Sequence, residues 1–346
     1  MSFRRGSTPT PLDGIDTVLA DLDGVVYRGH RAIPHAIEAL TAARATRRVG
    51  YITNNASRTD ETVAAQLREL GLEQTVASDI VTSPQAAMRL LAGIVPAPAT
   101  VLVVGGAGLV SEIEKAGYTA TRSADDSPAA VVQGFAPEVG WTQLAEAAYA
   151  LATPEDEGGI PWIATNTDWT IPQARGIAPG NGTLVSAVHT AVGRLATVAG
   201  KPETPIFAEA VARFGAEKPL FIGDRLDTDI LGAVRAGIPS ALVMTGIDRP
   251  KHVLAAPPSS RPTYLLADLS ELDAPYPEVT VRGRDGAVTV GESRVRIAGD
   301  DVVIDREGSQ PIDLLRAGAA AIWNSGRAIF GLRVPERLYA DPFDRG

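Results

Sequence analysis

The stretch IDTVLADLDGVVYRG, residues 15–29, runs from a short, largely apolar segment into two aspartates two positions apart, with a glycine behind them. Ile15–Ala20 reads as a buried strand, and a helical pattern, HAIEALTAARATRR (35–48), follows it. The strand VGYIT (49–53) and the helix RTDETVAAQLREL (58–70) repeat the alternation, which signals βαβ units and a largely parallel sheet. The pattern resumes with the helix TPIFAEAVARF (204–214), the strand PLFIG (219–223) and the helix DTDILGAVRAG (227–237), with Asp227 as its expected N-cap. SALVMTG (240–246) and TYLLADL (263–269) read as two further strands.

A second alternating set interrupts the first. Its strands are VLVVG (101–105), PAAVVQGF (128–135) and PWIAT (161–165), with helices at LVSEIEKAG, WTQLAEAAYALAT and GTLVSAVHTAVG. Residues 84–182 therefore read as an α/β domain inserted into a core made of 1–83 and 183–272. The Pro-rich stretch DAPYPE (273–278) reads as a linker. Beyond it, EVTVRGRDGAVTVG, SRVRIAG and DDVVIDR alternate apolar and polar residues around a hairpin turn at Asp285–Gly286. A helical pattern, PIDLLRAGAAAIW, follows, so 279–346 predicts a small α+β accessory domain.

Composition bounds what such a chain does. Its 346 residues are 45% hydrophobic and 21% charged, enough to bury a sizeable core. A net charge of −9 argues against nucleic acid or an anionic membrane as partner, because phosphate backbones need clustered Lys and Arg. No cysteine occurs, which removes disulfides, thiolate metal sites and a Cys nucleophile. The four histidines, His30, His35, His189 and His252, lie far apart and offer no zinc cluster. Neither a signal-peptide pattern nor a long apolar run is present, so the expected location is the cytoplasm.

Three strands of the outer set end on distinctive polar groups: Asp21 and Asp23, Thr53-Asn54-Asn55, and Asp224. Ligands of open parallel sheets bind beyond the carboxyl ends of the strands, so these groups are expected to meet. GKP (200–202) adds Lys201 at a helix start, where free N–H groups also favour an anion. Clustered carboxylates need a cation to stay ionised together, and oxygen-only ligands point to a hard metal, Mg²⁺. A metal, a phosphate receptor and a spare carboxylate are the parts of phosphoryl transfer. Two other glycine-rich stretches are set aside. VVGGAGL (103–109) follows a strand as a dinucleotide fingerprint would, but Ser111 stands where its last glycine belongs. GNGT (180–183) lacks the Lys-Ser/Thr pair of a nucleotide P-loop and reads as the entry to a helix.

Taken in order, DLDGV, ITNN, GKP and GDRLDTDI resemble the four motifs of the haloacid dehalogenase-like (HAD) phosphatases. The insert between the second and third is similar to the C2-type cap of the subfamily that holds 4-nitrophenyl-phosphatase-like, phosphoglycolate and glycerol-3-phosphate phosphatases. The match spans roughly residues 15–272 and implies a Rossmann-like core. It also implies that Asp21 is the nucleophile and Asp23 the general acid and base. By the same resemblance Mg²⁺ is held by Asp21, the Asp23 carbonyl and Asp224, with Asp229 in support. Thr53, Asn54 and Lys201 are then the phosphoryl-binding residues. The i, i+2 spacing of the two aspartates suits this, since a strand projects both to one face.

A roofing cap restricts entry to small phosphomonoesters. Asn55, Arg58, Asn166, Asp168 and Arg175 are the candidate substrate contacts, against a purely structural role in their loops. The subfamily's substrates include glycerol 3-phosphate, phosphoglycolate, pyridoxal phosphate and nucleoside monophosphates. Without a clear aromatic and His cluster for stacking, glycerol 3-phosphate is the expected substrate. The competing reading from another class is a regulatory or scaffold protein with a vestigial phosphatase fold. Homo-oligomerisation is left open by the sequence.

Overall fold

In the computed structural model, residues 9–173, 175–282 and 286–341 are described. Asp285 of the expected hairpin turn and the two N-terminal arginines, Arg4 and Arg5, lie outside them. Contacts divide the chain into two compact units. One runs up to Val49 and again from Glu217 onward, and the other is Gly50–Ala216.

The first unit carries four parallel strands in the order Tyr264–Leu266, Ser240–Val243, Pro219–Gly223 and Thr17–Ala20. Thr17–Ala20 and Pro219–Gly223 are wholly buried, as near-continuous apolar runs of a parallel sheet require. Ala20 pairs with Ile222, so the next residues at those two strand ends, Asp21 and Asp224, emerge side by side. The helix expected over 227–237 begins instead as a π-helical turn, Leu226–Ile230, and becomes α-helical only over Leu231–Arg235. Asp227 does not cap it. Arg225 holds the N-cap position, and Asp227 takes a two-pronged grip on the Arg225 guanidinium at 3.0 and 2.8 Å.

The same unit contains the C-terminal α+β part. Thr280–Arg282, Ala287–Val290, Ser293–Ala298 and Asp301–Arg306 form an antiparallel sheet in chain order, and the helix Pro311–Asn324 covers it. The pairing of Arg282 with Ala287 brackets the expected hairpin. Inward-facing Val288, Val290 and Val295 share one buried cluster with Leu242 and Leu265 of the parallel strands and with Met244 just past the first of these. The apolar positions of this part thus face the sheet of the same unit. DAPYPE is no slack linker, either. Tyr276 donates its N–H to the Pro9 carbonyl at 2.9 Å, and its hydroxyl accepts the Leu265 N–H at 3.1 Å.

In the second unit, Tyr51, Ile52 and Thr53 of the strand Arg48–Thr53 pair in parallel with a strand the sequence reading missed, Ile80–Thr82. It leads into an unanticipated helix, Ser83–Ala92, opened by a reciprocal capping box between Thr82 and Gln85. A second, five-stranded parallel sheet has the order Thr197–Val198, Trp162–Ala164, Ala130–Gln133, Thr100–Val104 and Thr119–Thr121. The polar stretch after Asn166 contains a further antiparallel pair, Thr170–Gln173 with Gly176–Pro179. No helix among the described residues is long and apolar enough to cross a membrane.

Candidate active site

At the carboxyl ends of the first unit's parallel strands, Asp21, Asp224 and Asp229 each bring a carboxylate oxygen within 4.8 Å of one another. Asp21 is only 8% exposed, Asp224 2% and Asp229 1%, so water screens their mutual repulsion poorly. Asp229 Oδ2 accepts the N–H groups of Asp224 at 3.1 Å and Arg225 at 3.2 Å. It thereby sets the backbone from which Asp224 projects. Asp224 Oδ2 in turn accepts the Ile247 N–H at 2.8 Å.

Glycine lines this pocket because nothing larger fits. A Cβ at Gly24 or at Gly246 would collide with the Asp224 carboxylate, and one at Gly223 with Asp229. Gly24 also sits at φ +81°, a conformation that only glycine adopts at no steric cost. An all-oxygen set of three clustered carboxylates, confined by glycines, fits a hard divalent cation such as Mg²⁺.

Neither aspartate of the pair lies within the strand itself. The strand stops at Ala20, and the N–H groups of Val25, Val26 and Tyr27 all turn back to the Leu22 carbonyl. Asp21 is nearly buried while Asp23 is exposed on the turn, so the two carboxylates differ in environment although only two residues apart. Thr245 ties this turn down, donating its hydroxyl to the Gly24 carbonyl at 2.7 Å and accepting Arg28 at its own carbonyl. Nearby, Asp248 accepts the Leu226 N–H at 2.5 Å and meets His252 Nδ1 at 2.8 Å. Burial pushes the Asp248 carboxyl up, against the opposing pull of those two partners.

The remaining expected residues lie in the second unit. Thr53 and Lys201 are buried, and Thr53 Oγ1 accepts the Asn55 N–H at 3.1 Å. Asn55 Oδ1 takes the N–H groups of Ser57 at 2.9 Å and Arg58 at 3.4 Å, an Asx turn that leads towards the helix Asp60–Glu69. The Arg58 guanidinium reaches Gln66. Asn54 is a junction: its side chain joins Lys201 and Asp168, and its carbonyl accepts Asn166 Nδ2 and Ser83 Oγ, each at 2.8 Å. Arg175 is exposed at the turn between the strands of the short antiparallel pair.

The glycine-rich stretches find structural uses. Gly182 of GNGT donates its N–H to the Asp168 carbonyl at 2.9 Å, so a protein oxygen occupies that helix start. Gly108 of VVGGAGL packs where a Cβ would press 3.3 Å from the Ser57 carbonyl. Two residues escaped the sequence reading, Gly246 and Thr245. Their signal was the position just past a strand in the same sheet, SALVMTG, where the two earlier strands end on aspartates.

The family profile for haloacid dehalogenase-like hydrolases matches residues 18–119, and a second HAD-hydrolase-like profile matches 198–272. The chain is 41% identical over 315 residues to the D-glycerol 3-phosphate phosphatase of Mycobacterium tuberculosis, covering 90% of this chain and 87% of that one. Human chronophin is 37% identical over 246 residues, 67% of this chain and 82% of its own. A solved glycerol phosphate phosphatase from Mycobacterium tuberculosis, in complex with magnesium, superposes with a TM-score of 0.83 at 37% identity, covering 95% of both chains. The vestigial-scaffold reading gives way before enzymes so similar and carboxylates so intact. The chain belongs to the haloacid dehalogenase-like hydrolases, among the magnesium-dependent phosphatases of that family.

Proposed function

We propose that the protein hydrolyses glycerol 3-phosphate to glycerol and inorganic phosphate. The carrying observation is the extent of likeness: a D-glycerol 3-phosphate phosphatase aligns over 90% of the chain, whereas chronophin aligns over 67%. The likeness therefore takes in part of the chain beyond what the shorter relative shares.

In this reading the Asp21 carboxylate attacks phosphorus, forming an acyl-phosphate as the bond to the glycerol oxygen breaks. Asp23 gives its proton to the departing alkoxide, which suits its exposed place on the turn. It then takes a proton from water, whose oxygen attacks the aspartyl-phosphate, releasing inorganic phosphate and restoring Asp21. Asp21, Asp224 and the Asp23 carbonyl would hold Mg²⁺, and Asp229 fixes the backbone of Asp224. When bound, the ion supplies positive charge against the carboxylates and the phosphoryl oxygens. Thr53 and Lys201 bind those oxygens, and Asn54, Asn55, Arg58, Asn166, Asp168 and Arg175 shape their surroundings.

Release of inorganic phosphate in Mg²⁺ from glycerol 3-phosphate, phosphoglycolate, pyridoxal phosphate and nucleoside monophosphates tests the substrate. Glycerol 3-phosphate is expected to give the highest kcat/KM. A higher value for any of the others overturns the assignment. Acid-quench trapping of a phosphorylated protein, lost in Asp21→Asn, tests the covalent step separately.

A further inference from the structure

The second unit places an amide splint on Lys201. Asn54 Oδ1 accepts the Lys201 N–H at 2.8 Å, and Asn54 Nδ2 donates to the Lys201 carbonyl at 3.0 Å. One planar group thus closes on both backbone polar atoms of a single residue. The orientation of the amide is unambiguous, since only its oxygen can accept an N–H and only its nitrogen can donate to a carbonyl. Gly200 makes the approach possible, because a Cβ there would stand 2.6 Å from both Asn54 Oδ1 and the Thr165 carbonyl.

The splint is itself held from the loop after the strand Trp162–Ala164. Asp168 receives the same Asn54 Nδ2 on both carboxylate oxygens, at 3.2 and 3.3 Å. Asn166 Nδ2 donates to the Asn54 carbonyl at 2.8 Å, and its Oδ1 accepts the Asp168 N–H at 3.2 Å. Asn181 Nδ2, buried at the next helix start, secures the Asn166 carbonyl at 2.7 Å. Charge-assisted acceptance by Asp168 orients the amide more firmly than a neutral partner would. Asn54 thus grips the backbone of Lys201, with Asp168 and Asn166 holding Asn54 and Asn181 holding Asn166.

We propose that Asp168, acting through Asn54, is a positioning residue for Lys201 rather than a contact of the substrate. This rests on the reading of Lys201 as a phosphoryl-binding group. The Asn54 side chain is engaged with protein, and the consequence of losing Asp168 is a Lys201 that is present but wrongly aimed. Misplacement of a binding group by about 1 Å can cost on the order of a hundredfold in rate.

The test uses the full-length protein in Mg²⁺, with Asp168→Ala and Asp168→Asn. Three quantities are measured: kcat/KM for p-nitrophenyl phosphate, kcat/KM for glycerol 3-phosphate, and inhibition by inorganic phosphate. A positioning role predicts that Asp168→Ala lowers all three by one common factor, about 10-fold or more. Asp168→Asn keeps an acceptor for the Asn54 amide and should recover to within about threefold of the parent. A loss confined to glycerol 3-phosphate, with phosphate inhibition intact, means that Asp168 touches the glycerol moiety and overturns the proposal. Unchanged kinetics with a lowered melting temperature overturns it too, leaving only a structural role. Should Asp168→Ala not fold, the common-factor loss is sought in Asp168→Glu, whose longer side chain displaces the acceptor, with Asp168→Asn as the near-parent reference. Lys201→Met checks the premise independently: unaltered phosphate inhibition there removes the reading of Lys201, whatever Asp168 does.

Discussion

Asp229 Oδ2 lies 3.1 Å from the amide nitrogen of Asp224, so one buried aspartate sets the direction of another. Asp229→Asn cannot offer both N–H groups of Asp224 and Arg225 the same charged acceptor. Groups that orient a metal ligand typically contribute a factor of about 10–100 in metal affinity or activity. The expected result is a half-saturating Mg²⁺ concentration raised by about tenfold, with smaller change in kcat at saturating metal. An unchanged magnesium titration would remove Asp229 from this role.

Gly246 presses against the Asp224 carboxylate so closely that even one methyl group must displace it. Gly246→Ala is therefore expected to reduce magnesium-dependent turnover at least as much as Asp229→Asn. Circular dichroism should show a folded protein, because the change sits in the loop after the strand Ser240–Val243 rather than in a core layer. Wild-type turnover in Gly246→Ala would contradict the cradle.

Arg316 is 5% exposed and makes four contacts at once. It donates to the Leu265 carbonyl at 2.8 Å, to Asp313 at 2.8 Å and to Glu271 at 3.1 Å, and its guanidinium lies 4.5 Å from the Tyr276 ring centroid. Removing one partner of a buried ion pair strands the other, a loss of about 3 kcal/mol. Arg316→Met should lower stability in urea by about that amount while leaving kcat/KM near the parent value. Lost activity without lost stability would point to another role for this arginine.

Asp16 gives a pH signature. Burial works to raise its carboxyl, but hydrogen bonds with Thr17 and from the Lys218 and Glu217 N–H groups prevail and hold it below the usual carboxylate range. A lowered folded value means that its stabilisation is complete above the unfolded value of about 3.9 and drains away as pH falls through the folded one. The stability gap between the parent and Asp16→Asn should be level from neutral pH to about 5 and narrow below about 4. A gap that widens with acid would reverse the sign.

The convergence of Asp21 and Asp224 was legible because both follow apolar strands that proved to be parallel neighbours. The use of Asn54 was not. A sequence shows an amide after a strand, yet it does not show that the amide's donors and acceptor go to Lys201, 147 residues onward. The helix Ser83–Ala92 carried its own Thr82–Gln85 capping signal, hidden by the short strand before it. The pair Thr170–Gln173 with Gly176–Pro179 has too little apolar alternation to announce a strand. In the C-terminal part the alternation was plain, but nothing local says that its inner face packs on Leu242 and Leu265.

That shared cluster has a bearing on changes to the C-terminal tail. Side chains from the chain's C-terminal part fill the same layer as those of the strands Ser240–Val243 and Tyr264–Leu266, with Arg316 and Tyr276 as the fastening. A substitution in the tail is thus felt in the hydrolase half. Removing the tail alone would leave the apolar flank formed by Leu242, Leu254 and Leu265 open to water.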